Sequence, residues 1–137
     1  MYRILCSTGA LIGRPNQRNY RLLKGLAERL DCDGFEFMMY DSWYEETGQI
    51  VDYLQKCELN IPVMHCEKRI GEALSRGGKE ELENAFRLFT VNCQMAREIG
   101  AEKLVLHLWD GLTSDRNIEN NLAAYKQLAS IAEAYYL

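Results

Sequence analysis

Hydrophobic and polar positions alternate between two periods along this chain. Short apolar runs at 2–7, 35–40, 60–67 and 103–108 have the length and pattern of β-strands, each bounded by turn-forming residues. Between them, apolar residues recur at helical spacing. Leu22, Leu23, Leu26, Ala27 and Leu30 form one such stripe, and Ile50, Val51, Leu54 and Cys57 another. Leu82, Ala85, Phe86, Phe89, Cys93, Ala96 and Ile99 predict the longest helix, over 79–99, closed by Gly100. Leu122, Tyr125, Leu128, Ala129 and Ala132 predict a last helix over 117–137. The stretch 66–81 is charged and punctuated by Gly71, Gly77 and Gly78, and reads as a long loop with at most one short helix.

Four strand-then-helix units imply an α/β fold with a parallel sheet and right-handed crossovers. Eight such units close a TIM (β/α)8 barrel of roughly 250 residues, and this chain supplies half of one. The expectation is a single domain over 1–137, a parallel (βα)4 half-barrel, part of a full barrel domain. An open flavodoxin-like sheet is the alternative, with Ser7-Thr8-Gly9 as a weak phosphate loop after its first strand.

Side chains alternate across a strand, which sorts the candidate chemistry. In the fourth run His107 shares a face with Val105, opposite Leu104, Leu106 and Leu108. In the third, His65 falls in register with Val63 and Ile61. Both imidazoles therefore sit at carboxyl ends of strands, where parallel sheets bind ligands, and neighbouring strands would point them into one cavity. In the second run Glu36 and Met38 oppose Phe35 and Phe37. A carboxylate inside a strand is either solvent-facing or functional, because a buried charge must be paired.

Composition narrows the function classes. With 137 residues, 47% apolar and 26% charged, the chain has the makeup of an ordinary globular domain. A net charge of -4 and a pI near 5.2 argue against nucleic acid as a partner. No long apolar run or signal-peptide pattern suggests a membrane, so a cytoplasmic protein is expected. Five cysteines, odd in number and without a Cys-x-x-Cys, suggest neither a disulfide framework nor a zinc ribbon. Dinucleotide, Walker, zincin and nucleophile-elbow motifs are absent from the sequence.

What remains is the pair of histidines, the only two in the chain. Neutral imidazole ligates divalent metals, and protonated imidazole donates to sugar or phosphate oxygens. His65 and His107 are thus candidate metal ligands, with Glu36 or Glu67 as a further donor. Trp109 is a candidate stacking platform for a sugar face, and Asp110 reads as a turn former. Arg14, Arg18, Lys68, Arg69 and Arg76, in the loops after the first and third strands, are candidates for binding phosphate or carboxylate.

The segment VMHCEKRIGEALSRGGKEELENAFRLFTVNCQMAREIGAEKLVLHLWDG resembles the central part of the xylose-isomerase-like barrels, which include sugar isomerases, sugar-phosphate epimerases and endonuclease IV. The resemblance rests on the strand-three histidine, the IGEALS loop, a long helix ending in Ile-Gly-Ala and the strand-four Val-x-His. Asp33-Gly34-Phe35-Glu36 is similar to the family's second strand. It implies a (βα)8 barrel with a divalent metal (Zn, Mn or Mg) and a small sugar or sugar phosphate at the strand ends. The implied pocket residues are Glu36, His65 and His107, with the two histidines as metal ligands in the endonuclease branch, and Trp109 joins them as the stacking candidate. Leu108-Trp109 stands where that branch has Pro-Gly, which disfavours DNA repair. Most ligands and acid/base carboxylates in these families come from strands five to eight, so this chain alone is expected to be inactive. A non-catalytic half-barrel completed by another chain is the alternative. Half a barrel leaves two strand edges and an inner face uncovered. Either a missing carboxyl-terminal half or homo-oligomerisation is therefore expected.

Overall fold

The computed structural model describes residues 4–108 and 116–137. Four strands, β1 (Leu5–Ser7), β2 (Gly34–Met38), β3 (Val63–His65) and β4 (Lys103–Val105), pair in parallel in the order β1-β2-β3-β4. Five α-helices accompany them among the described residues: α1 (Leu23–Ala27), α2 (Thr47–Cys57), α3 (Arg69–Arg76), α4 (Lys79–Glu98) and α5 (Ile118–Ala134). The fold is α/β with a four-stranded parallel sheet. Its sequential strand order lacks the reversal at which a flavodoxin-like sheet builds its ligand crevice.

The strands are shorter than the apolar runs, for local reasons. Pro62 has no amide to give a ladder, and β3 starts one residue later. Beyond Ser7 the backbone ladder of β1 stops, and the Thr8 hydroxyl accepts from the Met38 amide at 2.8 Å instead. His107 lies two residues past the end of β4 rather than within it.

One face of the sheet is dry. Phe35, Phe37 and Met64 pack with Leu23, Ile50, Leu54 and Met95 of the helices in the larger core. Leu104, Leu106 and Leu108 pack beside a second core of Cys66, Ile70, Leu74, Phe89 and Leu128. The opposite face carries Glu36, Met38, Val63 and Val105, all partly exposed and outside both cores, together with His65. Ile61, expected on that face, is instead buried in the larger core, because alternation does not extend back through Pro62. A sheet with helices packed on one face is what a closing barrel presents, whereas a doubly wound sheet is covered on both.

Helix ends and faces correct the sequence reading in two places. The predicted 20–30 helix is a 3-10 turn (Tyr20–Leu22) followed by the short α1, and Leu22 and Leu30 are exposed. Gly25 weakens its centre. The stretch 66–81 holds the one short helix the sequence allowed there, α3, ended by Gly77 at φ +70°. The second correction concerns α5, which buries Asn121, Ala124 and Leu128, while Leu122 and Tyr125 are 54% and 60% exposed. Amide bonds from Asn121 to α3 and to the exit of β4 fix that rotation. The α4 terminus is as expected: Gly100 takes φ +78° and the Ala101 amide reaches back to the Ala96 carbonyl at 2.9 Å. Among the described residues no helix is long and apolar enough to cross a membrane.

Candidate functional site

Strand register decides what meets on the uncovered face. Glu36 is level with Val63, and His65, two residues further on, is its diagonal neighbour on the same face. His65 is level with Val105, and His107 again lies two residues beyond. The three candidate side chains therefore climb diagonally toward the carboxyl end of the sheet. Nδ1 of His65 lies 2.9 Å from Oε1 of Glu36, and the two imidazole centroids are 4.6 Å apart. Both of the chain's histidines meet at one place.

That geometry fixes a tautomer. A carboxylate oxygen can only accept, so Nδ1 of His65 carries the proton toward Glu36, and in the neutral ring Nε2 keeps its lone pair. Nε2 is buried and has no hydrogen-bond partner among the described residues. Burying such an atom unsatisfied costs about 1–3 kcal/mol, a cost that a ligand atom placed there would remove. The arrangement can accept a hydrogen bond from a hydroxyl, take its proton with Glu36 stabilising the resulting imidazolium, or donate to a metal.

No group of three or more His, Cys, Asp or Glu side chains among the described residues is placed to hold an ion. Glu36 is engaged on Nδ1 of His65. Glu67, the other candidate, turns to a different network: it is buried, and its Oε1 accepts from the Arg69 amide at 2.8 Å. Trp109 and Asp110 lie outside the described residues.

Buried amides that the sequence reading passed over hold the site in place. Asn92 of α4, fully buried, accepts from the Glu67 amide at 3.3 Å and donates to the Tyr44 hydroxyl at 2.9 Å and the Leu88 carbonyl at 2.8 Å. Asn121 of α5 donates to the carbonyls of Gly71 and Leu108, the residue after His107. Their signal in the sequence is an asparagine inside a helical pattern, which is indistinguishable from a surface position until the packing is known.

Of the basic candidates, Arg18 and Arg69 converge on Asp41, at 2.8 and 2.9 Å. Arg76 pairs with Glu72 within α3, and Arg14 and Lys68 are exposed.

Burial also sets the chemistry of groups behind the strand ends. It pushes the Cys66 thiol and the Tyr44 hydroxyl up, and the Cys93 thiol up to about 12. The unfolded chain then loses these protons first as pH rises, and stability falls with pH above the ordinary thiol value near 9. Denaturant midpoints are expected to drop steadily from pH 8.5 toward 11. The slope should flatten when Cys66 and Cys93 are both replaced by Ala, and an unchanged slope would show that these thiols are not buried as described.

No protein-family model, curated protein or solved structure matches this chain.

Proposed function

We propose that the chain is the amino-terminal half of a sugar or sugar-phosphate isomerase or epimerase built on a closed (βα)8 barrel. In this reading Glu36, His65 and His107 line its substrate pocket, with Trp109 close behind in the chain. The observation that carries the reading is the convergence of the two histidines at strand carboxyl ends, one of them oriented by a carboxylate. The sequential sheet order and the one-sided helix layer support the barrel. The exposed Leu122 and Tyr125 and the half-exposed inner face support a missing cover, from further βα units or a second copy.

His65, through Nε2, holds a substrate hydroxyl and accepts its proton, and Glu36 keeps the ring in the required tautomer. His107 fixes a neighbouring oxygen of the same substrate. A divalent ion, Zn, Mn or Mg, belongs to the complete protein and draws donors from outside the described residues. The chain alone binds without turning over. Calorimetric titration with ribose 5-phosphate and with xylose tests this: millimolar binding of either is expected, weakened about tenfold or more in His65→Gln and His107→Gln. Binding indifferent to both substitutions, or none to any polyhydroxylated ligand, would contradict it. Light scattering supplies the structural arm, since a monodisperse, cooperatively melting monomer would argue against a half-barrel.

A further inference from the structure

The loop between β1 and α1 is unusually well made for a surface connection. Asn16 bridges it internally, accepting from the Gly13 amide at 2.9 Å and donating to the Leu11 carbonyl at 2.7 Å. The Tyr40 hydroxyl, from beyond β2, donates to the Ile12 carbonyl at 2.6 Å, and Ile12 is fully buried. Tyr40 in turn lies edge-on to the buried Trp43, with centroids 4.9 Å apart. At the end of this loop Gln17 and Arg18 both take left-handed backbone conformations, φ +58° and +53°. Two consecutive residues with side chains hold that conformation only against strain.

The strain delivers one guanidinium. Arg18 is laid over the Tyr40 ring, 4.6 Å from its centroid, and Nη1 donates to Oδ1 of Asp41 at 2.8 Å. Arg69, at the start of α3, reaches the other oxygen, Oδ2, at 2.9 Å. The Arg18–Asp41 pair is only part-buried, its side chains 28% and 30% exposed, and returns less than two such backbone residues cost. Asp41 acts as a spacer that holds two guanidiniums side by side. Each still has donor N–H groups to offer, since a guanidinium carries five.

These groups border a cavity of about 450 Å3 over the carboxyl ends of β1 and β2, lined also by Ser7, Gly9 and Lys68. Arg18, Lys68 and Arg69 set three cations against the carboxylates of Asp41 and Glu67, and Glu67 is buried beneath. The surplus is positive in a chain whose net charge is negative. Planar, preset guanidiniums suit the tetrahedral oxygens of a phosphate better than a lone surface lysine does.

We infer that Arg18, Lys68 and Arg69, spaced by Asp41, form the seat for the phosphate of a small phosphate monoester. This deepens the reading above by choosing phosphorylated over neutral ligands, and rests on it in taking the strand carboxyl ends as the ligand face. The probe is inorganic phosphate, titrated at constant ionic strength while the arginine Nε–H resonances of the unmodified chain are followed by NMR. Arg18 and Arg69 are expected to shift together on one millimolar isotherm, and Arg14 in the same loop to stay still. Arg18→Gln and Arg69→Gln should each weaken binding about tenfold, with Arg14→Gln as the neutral control. Acetate should not compete.

No shift at either arginine, equal shifts at Arg14, or equal binding of acetate would overturn the assignment. The arms separate this seat from the isomerase reading. Phosphate binding retained in His65→Gln supports the seat whatever becomes of the histidines' role. Xylose binding without phosphate binding overturns the seat and leaves the histidines in place.

Discussion

Asn121→Leu is expected to cost about 3 kcal/mol, lowering the melting temperature by roughly 10 °C, although it replaces a polar residue in a core by an apolar one of similar size. Asn121 is fully buried, and its amide donates to the carbonyls of Gly71 in α3 and Leu108 after β4. Its oxygen lies 2.8 Å from the Ser75 hydroxyl. One side chain thus ties α5 to α3 and to the segment that carries His107. Leucine leaves the carbonyls of Leu108 and of the buried Gly71 without that donor. Asn121→Asp should cost at least as much, because it turns an acceptor toward two carbonyls. Its neighbour Asn120 donates to the Ser75 carbonyl at 2.9 Å from an exposed position, and Asn120→Ala should cost under about 1 kcal/mol. Chemical denaturation of the three variants gives the order. A neutral Asn121→Leu would mean that α5 is not pinned as described.

Gly71→Ala is the second large effect, and its sign is diagnostic. Alanine in place of glycine within a helix ordinarily gains about 0.5–1 kcal/mol. At Gly25 and Gly48 an added Cβ meets nothing within 4 Å, and both substitutions should follow that rule. At Gly71 the added Cβ would overlap the backbone carbonyl of His107. Backbone held by Asn121 cannot swing aside as a long side chain would. Overpacking of this kind costs about 1–3 kcal/mol, and relief requires His107 to move. Gly71→Ala should therefore lose stability and ligand binding together while Gly48→Ala gains stability. Gain at all three glycines would show that α3 does not press on the β4 exit.

Gly71 also shows where the sequence misleads. An isolated glycine among charged residues reads as loop punctuation, yet here it sits in the first turn of α3 because helix and strand exit touch there. Local pattern does not report a contact between segments 36 residues apart. What was legible followed from periodicity alone: the four strand positions, the facing of Glu36 opposite Phe35 and Phe37, and the placing of both histidines at strand ends. The Glu36 to His65 bond needed the register between β2 and β3, which no single segment contains. The same holds for Arg18, Asp41 and Arg69, far apart in sequence and brought together by two loop ends. The inward face of α5 was misread because it turns on Asn121, a polar residue, which buries with Ala124 and Leu128 while Leu122 and Tyr125 stay exposed.

In the proposed function His65 and His107 serve one ligand pocket, with Glu36 setting the tautomer of the first. Nitrogen-15 spectra of the imidazoles read this directly. In the neutral ring of His65 the proton is expected on Nδ1, and a cross-relaxation peak should join the two rings, whose centroids are 4.6 Å apart. Glu36→Gln should weaken the Nδ1 preference, and ribose 5-phosphate should move both rings on a single isotherm. A proton on Nε2, no contact between the rings, or a shift confined to one histidine would rule out the shared pocket.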